Sequence, residues 1–517
     1  MKRIISVILT VVIALSVSLF AVADGRYCNC GIDPVVFVHG FGSYSLYEDI
    51  DSKNPAQVFP PDSKAIIKSV PSIIDLIGNL TVTGNTKRSA EDFMKVLEYM
   101  MGRLACDKNG NSFYNVTIEN RPLPTEDRHK TPDYSFDTQS NEITKTSQYS
   151  FYYDFRLDPM DNAKDLNDYI GYIKNLTGHS KVAVVCHSQG NTVVAAYLSM
   201  YKNRDVSKVI FLSPAYKGLS LIGHLFNSEL DIRNKSDDLE LYFKGMLGYS
   251  PSGQFIGALI SLLNDCGVLP YLTRILQDML DDQYETILNE ELLKVFGTMP
   301  AIWSFCPDEY YERAKAKLLD PAEYSGLIKR IDNYHYNVQN KFESILRDCE
   351  SRGMKFAITC GYDISTIPVA DNPQSQSDVL IDTEYMSIGC TCADAGTCFG
   401  DNYRQAKHSG KNYISPDRKI DASTCLYPDR TWFFKGQKHD DFTAAYTQFL
   451  TKLLLFDGQP TIDNISGYSQ FMCYDDDMNL IPVKGADEPE TKCAAVTAAE
   501  SVIDMVTPDF VRRIKIW

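Results

Sequence analysis

The residues of this chain whose types and spacing could do chemistry are Ser188, Asp378 and His439. Ser188 follows the β-branched run 182–187 and precedes a helix-prone segment, which predicts a sharp strand-to-helix turn that holds the hydroxyl above a sheet. A serine becomes a nucleophile when a histidine takes its proton and a carboxylate orients that histidine. The three residues therefore predict attack on an acyl carbonyl. The alternative is a buried strand followed by an ordinary turn that contains a serine.

Such a turn needs small residues two positions before and after the serine, because the strand and the helix pass close together there. Cys186 and Gly190 occupy those positions. The usual pattern has glycine at both, so Cys186 departs from it, although a thiol is compact. We interpret Cys186 as a buried free thiol beside the nucleophile.

The histidine and the carboxylate each have alternatives. His439 precedes the amphipathic segment 442–456, as a loop-borne base followed by a packing helix would, and His408, in a polar cysteine-rich loop, is the second candidate. Asp378 follows a polar loop and precedes an apolar run, which places it at the carboxyl end of a strand. The other acidic residues of that stretch are interpreted as turn or surface residues: Asp363, Asp371 and Asp382.

A glycine-rich loop follows an early buried strand and could stabilise a developing oxyanion. The loop runs from His39 to Gly42, and its predicted donor is the backbone N–H of Phe41. The second predicted donor is the N–H of Gln189, the residue after the nucleophile. The alternative is a glycine-rich turn of the kind that follows any buried strand.

Strands and helices alternate around the serine. A strand is predicted at 149–156, a helix at 161–176, the serine strand and its helix next, and a strand at 208–214. This alternation predicts right-handed βαβ units and a mostly parallel sheet with helices on both faces. The next buried strand, 354–361, follows a gap of about 135 residues, more than a crossover needs. The segment 219–353 is therefore predicted to be a helical cap insertion.

Two further segments have open interpretations. The apolar run from Phe243 to Leu276, punctuated by glycine and proline, is either a lid whose apolar side meets lipid or the core of the cap. A second insertion, about 43–148, contains the amphipathic stretches 63–80 and 88–104.

Several short motifs fall in the order seen in one known family. They are Val38 to Gly42, Tyr153 to Pro159, His187 to Asn191, Pro214 to Gly218, Ser377 with Asp378, and His439. Because of these motifs, the chain resembles the lecithin:cholesterol acyltransferase and lysosomal phospholipase A2-like family of α/β-hydrolases. Its Tyr-Asp-Phe-Arg-Leu segment is close to that family's Tyr-Asp-Trp-Arg-Leu. The resemblance covers about 34–45, 149–218, 354–385 and 430–456.

The resemblance does not cover the predicted cap, and it implies an α/β-hydrolase fold and acyl-ester cleavage through a serine acyl-enzyme. With the cap, the chain is expected to be a serine carboxylester hydrolase, lipase- or phospholipase-like, that needs no cofactor or metal. Ser188 would attack, His439 would shuttle the proton and Asp378 would orient it. The substrate would be an acyl ester, expected to be lipid, with transient contact to a lipid surface. A lipid acyltransferase and a non-catalytic binding protein on the same scaffold are the alternatives. Arg156 and Asp158 are interpreted as structural ion-pairing residues.

The chain divides into five predicted segments. Residues 1–23 read as a secretory signal peptide, with an uncleaved membrane anchor as the alternative, so the mature protein is expected to be secreted. The hydrolase core is expected at 24–218 and 354–456, on either side of the cap, and 457–517 is a C-terminal extension.

Charge and cysteine content limit the partners and the compartment. The chain has 51 basic and 67 acidic residues, a formal net charge of −16, which argues against nucleic-acid binding. Fourteen cysteines in an exported chain predict disulfides, with zinc binding the less favoured interpretation of the Cys390–Cys398 cluster. The candidates are Cys28, Cys30, Cys390, Cys392, Cys398, Cys473 and Cys493.

Overall fold

The computed structural model describes residues 31–118, 148–247, 251–369, 375–407 and 410–485. Several predictions fall on residues outside these ranges and are not addressed by the structure. These are the signal segment 1–23, the alternative histidine His408, the alternative acid Asp371, and the cysteines Cys28, Cys30 and Cys493.

The centre of the fold is an eight-stranded sheet with the strand order β15-β14-β13-β8-β7-β6-β1-β5. Neighbouring strands are parallel except β14 and β15, which pair antiparallel. The strands, in chain order, are β1 (Val35–Val38), β2 (Leu46–Glu48), β3 (Ala56–Phe59), β4 (Val116–Ile118), β5 (Gln148–Phe151), β6 (Val182–His187), β7 (Val206–Leu212), β8 (Lys355–Tyr362), β9 (Ile364–Ser365), β10 (Gln376–Ser377), β11 (Thr391–Cys392), β12 (Ile420–Asp421), β13 (Thr431–Lys435), β14 (Phe471–Tyr474) and β15 (Leu480–Pro482).

Helices connect these strands and form the insertions. They are α1 (Ser63–Gly78), α2 (Thr86–Met101), α3 (Pro159–Thr177), α4 (Gly190–Tyr201), α5 (Ser220–Asn227), α6 (Ser236–Leu247), α7 (Pro251–Asp265), α8 (Val268–Ile287), α9 (Pro300–Trp303), α10 (Asp308–Leu318), α11 (Ser325–Asn337), α12 (Phe342–Ser351), α13 (Thr383–Met386) and α14 (Ala444–Leu455). α1 and α8 continue as the π-helical segments Asn79–Thr83 and Leu288–Gly297, and short 3₁₀ turns lie at Gly102–Leu104, Gln339–Lys341, Ala422–Thr424 and Pro428–Arg430.

Both faces of the sheet are buried, which is why its central strands are apolar throughout rather than alternating. On β1, Val36 and Val38 face one core and Val35 and Phe37 face the other. The first core packs against α3 and α4, and the second packs against α14. This is the predicted parallel sheet covered by helices on both sides.

The predicted cap and insertion lie between strands of this sheet. The helices α5 to α12 connect β7 to β8, within the segment 219–353. The first insertion contributes α1, α2 and a small separate sheet of β2, β3 and β4. The segment after residue 456, predicted as an extension, supplies β14 and β15 to the main sheet.

The cysteines of the described residues are free thiols, so the disulfides predicted from the cysteine count are not seen there. The sulfur atoms of Cys390 and Cys392 lie 3.4 Å apart. Cys186 is fully buried, as predicted, and burial raises the pKa of its thiol well above the usual value.

Candidate active site

Ser188 sits at the turn between β6 and α4, in a backbone conformation that side chains rarely adopt. Its φ is +53°, in the left-handed region. The backbone N–H of Ser188 donates to the carbonyl of Leu212 at the end of β7. The side chain of Asn191 donates to the carbonyls of Ser188 and Leu212, which fixes the turn from the helix side. The surrounding hydrogen bonds hold the strained backbone at Ser188 in place.

The small residues on either side of Ser188, Cys186 and Gly190, have different packing environments. A Cβ added to Gly190 would lie 2.2 Å from the backbone oxygen of Val38, so any larger residue would drive α4 away from β1. Cys186, on β6, directs its thiol to the side-chain oxygen of Asn191 at 3.1 Å. The departure from glycine at position 186 is therefore accommodated, and the thiol shares in fixing Asn191.

Replacing Gly190 with alanine is expected to lower the free energy of unfolding by about 3 kcal/mol, because the added carbon meets backbone rather than a movable side chain. Thermal and urea unfolding measure this. Gly171, on α3, is the matched control, since no atom lies within 4 Å of its added Cβ. Gly171→Ala should be neutral or stabilising by up to about 1 kcal/mol. Equal effects of the two substitutions would contradict the packing argument.

Ser188, His439 and Asp378 form one hydrogen-bonded chain. His439 Nε2 lies 2.8 Å from Ser188 Oγ, and His439 Nδ1 lies 2.8 Å from Asp378 Oδ2. The backbone N–H of His439 also donates to the carbonyl of Asp378, at 2.9 Å. His439 lies on the loop between β13 and α14, and Asp378 directly follows β10. The structure thus brings together the three side chains that the sequence singled out.

The surroundings of the pair hold Asp378 ionised and favour a charged His439. Burial would raise the pKa of Asp378, but His439 and the backbone N–H groups of Ile381 and Leu380 outweigh burial and lower it. Burial would lower the pKa of His439, but Asp378, and to a smaller degree Asp440, raise it above its usual value. An imidazole with a raised pKa is a better proton acceptor for a serine hydroxyl.

A second histidine, His187, positions the first. Its Nε2–H donates to the backbone carbonyl of His439 at 2.8 Å. Burial, together with the charge of His439, lowers the pKa of His187 to about 3, so this ring is neutral at ordinary pH. This role of His187 is not evident from the sequence, because no sequence signal connects residue 187 with a carbonyl on the loop at 439.

The loop after β1 lies against Ser188. A Cβ on Gly40 would come within 2.8 Å of the Ser188 Cβ, so only glycine permits this approach. The hydroxyl of Tyr153 donates to the carbonyl of His39 at 2.6 Å and anchors the loop. Within the described residues, neither the N–H of Phe41 nor that of Gln189 donates a hydrogen bond to another protein group, and their role as oxyanion donors stays a prediction.

Aromatic side chains surround the predicted oxyanion loop. The ring of Phe41 lies 4.3 Å from that of Phe155, 6.4 Å from that of Phe305 and 6.5 Å from that of Phe59, measured between centroids. Gln189 donates from its side chain to the carbonyl of Phe155, which ties this aromatic cluster to the nucleophile turn. The side chain of Phe41 therefore lies in an aromatic environment.

The alternative acidic residues Asp363 and Asp382 form ion pairs or hydrogen bonds with residues other than His439. Asp363 pairs with Lys419 and Lys435, and Asp382 accepts hydrogen bonds from the N–H and hydroxyl of Ser220. Neither contacts His439 in the described part of the chain.

Arg156 and Asp158 have structural contacts, but they are not each other's principal partners. Arg156 is fully buried and forms a two-point ion pair with Asp154, at 2.8 and 3.0 Å. It also donates to the carbonyls of Leu104 and Val116, which joins the first insertion to the core. Asp158 caps the first turn of α3 and pairs with Arg330, at 3.6 Å.

Two other places in the structure hold groups that could bind a ligand. Among the described residues, the ligand atoms of His187, His439 and Asp440 lie within 4.8 Å of one another, but the histidine nitrogens already bind Ser188, Asp378 and a backbone carbonyl. A polar cavity of about 340 Å³ lies beside the cap. Its lining includes Ser220, His224, Tyr310, Asp382, Glu384 and Cys390 and excludes the Ser188–His439–Asp378 group.

Comparison with known proteins supports the fold. Residues 120–240 match a family described as having the alpha/beta hydrolase fold. No curated protein matches the chain. One solved structure, "The crystal structure of Tle4-Tli4 complex", aligns with 18% identity over 38% of this chain and 48% of that chain, with a TM-score of 0.20. The chain thus aligns with about half the length of that protein.

The family match, the mainly parallel sheet and the helices on both faces establish an α/β-hydrolase fold. That fold is the one the sequence predicted. The match supports the α/β-hydrolase superfamily, and the closer resemblance to the lecithin:cholesterol acyltransferase group stays a prediction.

Proposed function

We propose that the protein is a serine carboxylester hydrolase that cleaves apolar acyl esters through an acyl-enzyme on Ser188. The observation that carries the proposal is the continuous chain from Ser188 Oγ through both nitrogens of His439 to Asp378, each link 2.8 Å long. The α/β-hydrolase fold supports hydrolytic chemistry in general, and this chain of atoms supports the serine mechanism in particular.

The acylation step uses the geometry directly. Ser188 Oγ attacks the ester carbonyl carbon while its proton passes to His439 Nε2, and the negative charge moves to the carbonyl oxygen. The N–H groups of Phe41 and Gln189 would stabilise that oxygen, and one such donor contributes about 100- to 1000-fold in rate. Asp378 stabilises the imidazolium. The protonated Nε2 then donates to the leaving alcohol, and the acyl group remains on Ser188.

Deacylation repeats the sequence with water as the nucleophile. His439 Nε2 takes a proton from water, the hydroxide attacks the acyl carbon, and Ser188 leaves as it regains the proton. The bond from Ser188 Oγ to the acyl carbon breaks and a carboxylic acid is released. An alcohol in place of water would give acyl transfer, and no contact in the described residues favours that acceptor over water.

The aromatic surroundings of Phe41 support an apolar acyl group. The rings of Phe59, Phe155 and Phe305 make the neighbourhood of the carbonyl site a favourable environment for a hydrocarbon chain. We therefore favour esters of medium or long acyl chains over acetate esters.

The proposal is tested by labelling with a fluorophosphonate, followed by p-nitrophenyl esters of increasing chain length. We expect one phosphonyl adduct, located on Ser188 by peptide mass spectrometry, and kcat/KM that rises with chain length. A non-catalytic protein on the same scaffold would show neither result. Labelling with turnover only of acetate esters would retain the serine mechanism and contradict the lipid substrate.

The pH profile should reflect His439. Only the neutral imidazole accepts the serine proton, and Asp378 raises the pKa of His439 above the usual 6.5, so kcat/KM should increase with pH through a midpoint above 6.5. Asp440→Asn should move that midpoint to lower pH, because the Asp440 carboxylate also raises this pKa. Asp441→Asn is the control and should leave it unchanged. A midpoint below 6.5 would contradict the assignment.

A further inference from the structure

Two thiols lie in contact shortly after α13. Cys390 directly precedes β11 and Cys392 is its last residue, and their sulfur atoms lie 3.4 Å apart. Side chains two residues apart in an extended chain point to the same side, so the Cys-x-Cys spacing keeps the two sulfurs together. A disulfide bond joins sulfur atoms at about 2.0 Å, so a small movement of the two side chains would close the pair. The structure shows the reduced form of this pair.

The surroundings of the pair favour a reactive thiolate. Burial would raise the pKa of Cys390, but hydrogen bonds from Cys392, Cys425 and Ser387 outweigh burial and lower it well below the usual value. The same contact with Cys390, together with burial, raises the pKa of Cys392, so the two sulfurs share one proton. By contrast, burial alone raises the pKa of Cys186 and keeps that thiol protonated. The thiolate is the form that attacks a disulfide.

The pair can be reached through the polar cavity of about 340 Å³ beside the cap. Both cysteines line that cavity, and Cys392 is only partly buried. The lining also holds the carboxylates of Asp382, Glu384 and Asp394, and none of the described residues that line it is a lysine or an arginine. Such a lining attracts cationic molecules and repels anionic ones. A small molecule that carries amino groups is therefore favoured as the visitor.

The geometry favours thiol–disulfide exchange over two other uses of paired cysteines. Among the described residues, the pair belongs to no group of three or more ligand atoms close enough to hold a metal ion, whereas structural zinc takes four ligands. A disulfide between Cys390 and Cys392 would close a loop of three residues. So short a loop removes little entropy from the unfolded chain, and the bond would stabilise the fold little. A bond of that kind, next to a cavity, is readily reduced again.

We propose that Cys390 and Cys392 are a redox-active dithiol that exchanges with small cationic disulfides entering through the polar cavity. The site is separate from the Ser188–His439–Asp378 group, none of whose members lines the cavity. The proposal therefore does not rest on ester hydrolysis.

The exchange passes two electrons from the dithiol to the external disulfide. The Cys390 thiolate attacks one sulfur of that disulfide, whose S–S bond breaks and releases one thiolate. The thiol of Cys392 then loses its proton to water and attacks the Cys390 sulfur of the mixed disulfide, and the second thiolate leaves. The products are a Cys390–Cys392 disulfide and two small thiols, which take up protons from water.

The proposal is tested by incubating the protein with cystamine, the disulfide of cysteamine, then quenching, alkylating and mapping cysteines by peptide mass spectrometry. We expect a Cys390–Cys392 disulfide that retains no cysteamine, and excess cysteamine should return it to the dithiol. Cys398 provides an internal control, because it is an exposed thiol of the same segment. It should stop at a mixed disulfide with cysteamine.

Two variants separate the steps. Cys392→Ser should stop at a cysteamine adduct on Cys390, because the serine hydroxyl can still donate to the thiolate but cannot displace the adduct. Cys398→Ser is the matched control and should form the Cys390–Cys392 disulfide as the parent does.

The charge of the visitor tests the route through the cavity. Glutathione disulfide is anionic, whereas cystamine is cationic. The ratio of the rate with cystamine to the rate with glutathione disulfide should be at least about tenfold larger at the pair than at Cys398, because the cavity is lined by carboxylates.

Three results would overturn the dithiol proposal. The first is cysteamine adducts on Cys390 or Cys392 of the parent protein with no disulfide between them. The second is a disulfide from Cys390 to Cys425. The third is an equal rate ratio at the pair and at Cys398, which would exclude the route through the cavity. Ser188→Ala protein should oxidise as the parent does, so absence of ester turnover would contradict the proposed function and leave the dithiol intact.

Discussion

Replacing Ser188 with alanine is expected to reduce kcat/KM for p-nitrophenyl esters by about 10⁵- to 10⁶-fold and to abolish fluorophosphonate labelling. In the proposed mechanism the hydroxyl oxygen is the attacking atom, and no other described hydroxyl donates to His439 Nε2. The residual rate should still exceed the uncatalysed reaction by about 1000-fold, because an oxyanion site and substrate binding remain.

The alanine variant should fold as the parent does. Its Cβ occupies the space of the serine Cβ, and the turn is held by the Leu212 carbonyl and the Asn191 side chain rather than by the hydroxyl. Circular dichroism and Tm within about 2 °C of the parent would establish this. Substantial turnover by a folded Ser188→Ala protein would show that another residue is the nucleophile.

Replacing Asp378 with asparagine is expected to cost about 10⁴-fold in kcat. Oδ1 of Asp378 accepts from the N–H groups of Leu380 and Ile381, so an amide at this position must place its oxygen there. The amide NH₂ then faces His439 Nδ1, which becomes a hydrogen-bond acceptor. The ring proton is thereby placed on Nε2, and His439 can no longer accept the proton of Ser188.

Asp382→Asn is the matched control for this prediction. Asp382 is likewise buried and lies four residues along the chain, but its carboxylate accepts from Ser220 rather than from a histidine. An amide oxygen can still accept the N–H of Ser220, so kcat should fall by less than about tenfold. A larger loss at Asp382 than at Asp378, with both variants folded, would move the acid to residue 382.

The sequence alone predicted the turn at Ser188 and the βαβ core, because the signals for both are local. The β-branched run 182–187, the serine and the helix-prone segment after it are contiguous, and a chain with that order has few conformations open to it. The predicted helix at 161–176 is observed as α3, and the predicted strand at 354–361 as β8, within two residues at each end. Hydrophobic periodicity determines such elements without reference to distant residues.

From the sequence alone, the candidates for the acidic residue could be ranked, but none could be selected. Asp363, Asp378 and Asp382 lie within twenty residues of one another, and each is compatible with a loop after a strand. What separates them is contact with His439, which lies 61 residues beyond Asp378 in the chain. The same holds for His187, whose partner is the carbonyl of residue 439, 252 positions away. Contacts at that separation are set by the packing of whole elements.

The orientation of α1 is likewise set by the tertiary structure and not by the local sequence pattern. The sequence predicts an amphipathic stretch at 63–80, since periodicity reveals that one side of a helix is apolar. Periodicity carries no information about which side meets the protein, and the expected orientation is inward. The structure instead buries Ser69 and Ser72 and leaves apolar residues of the same helix, among them Ile67 and Ile74, exposed. Local pattern thus determined the helix, whereas its neighbours in three dimensions decided what the apolar side contacts, because burial depends on the partners available and not on the helix itself.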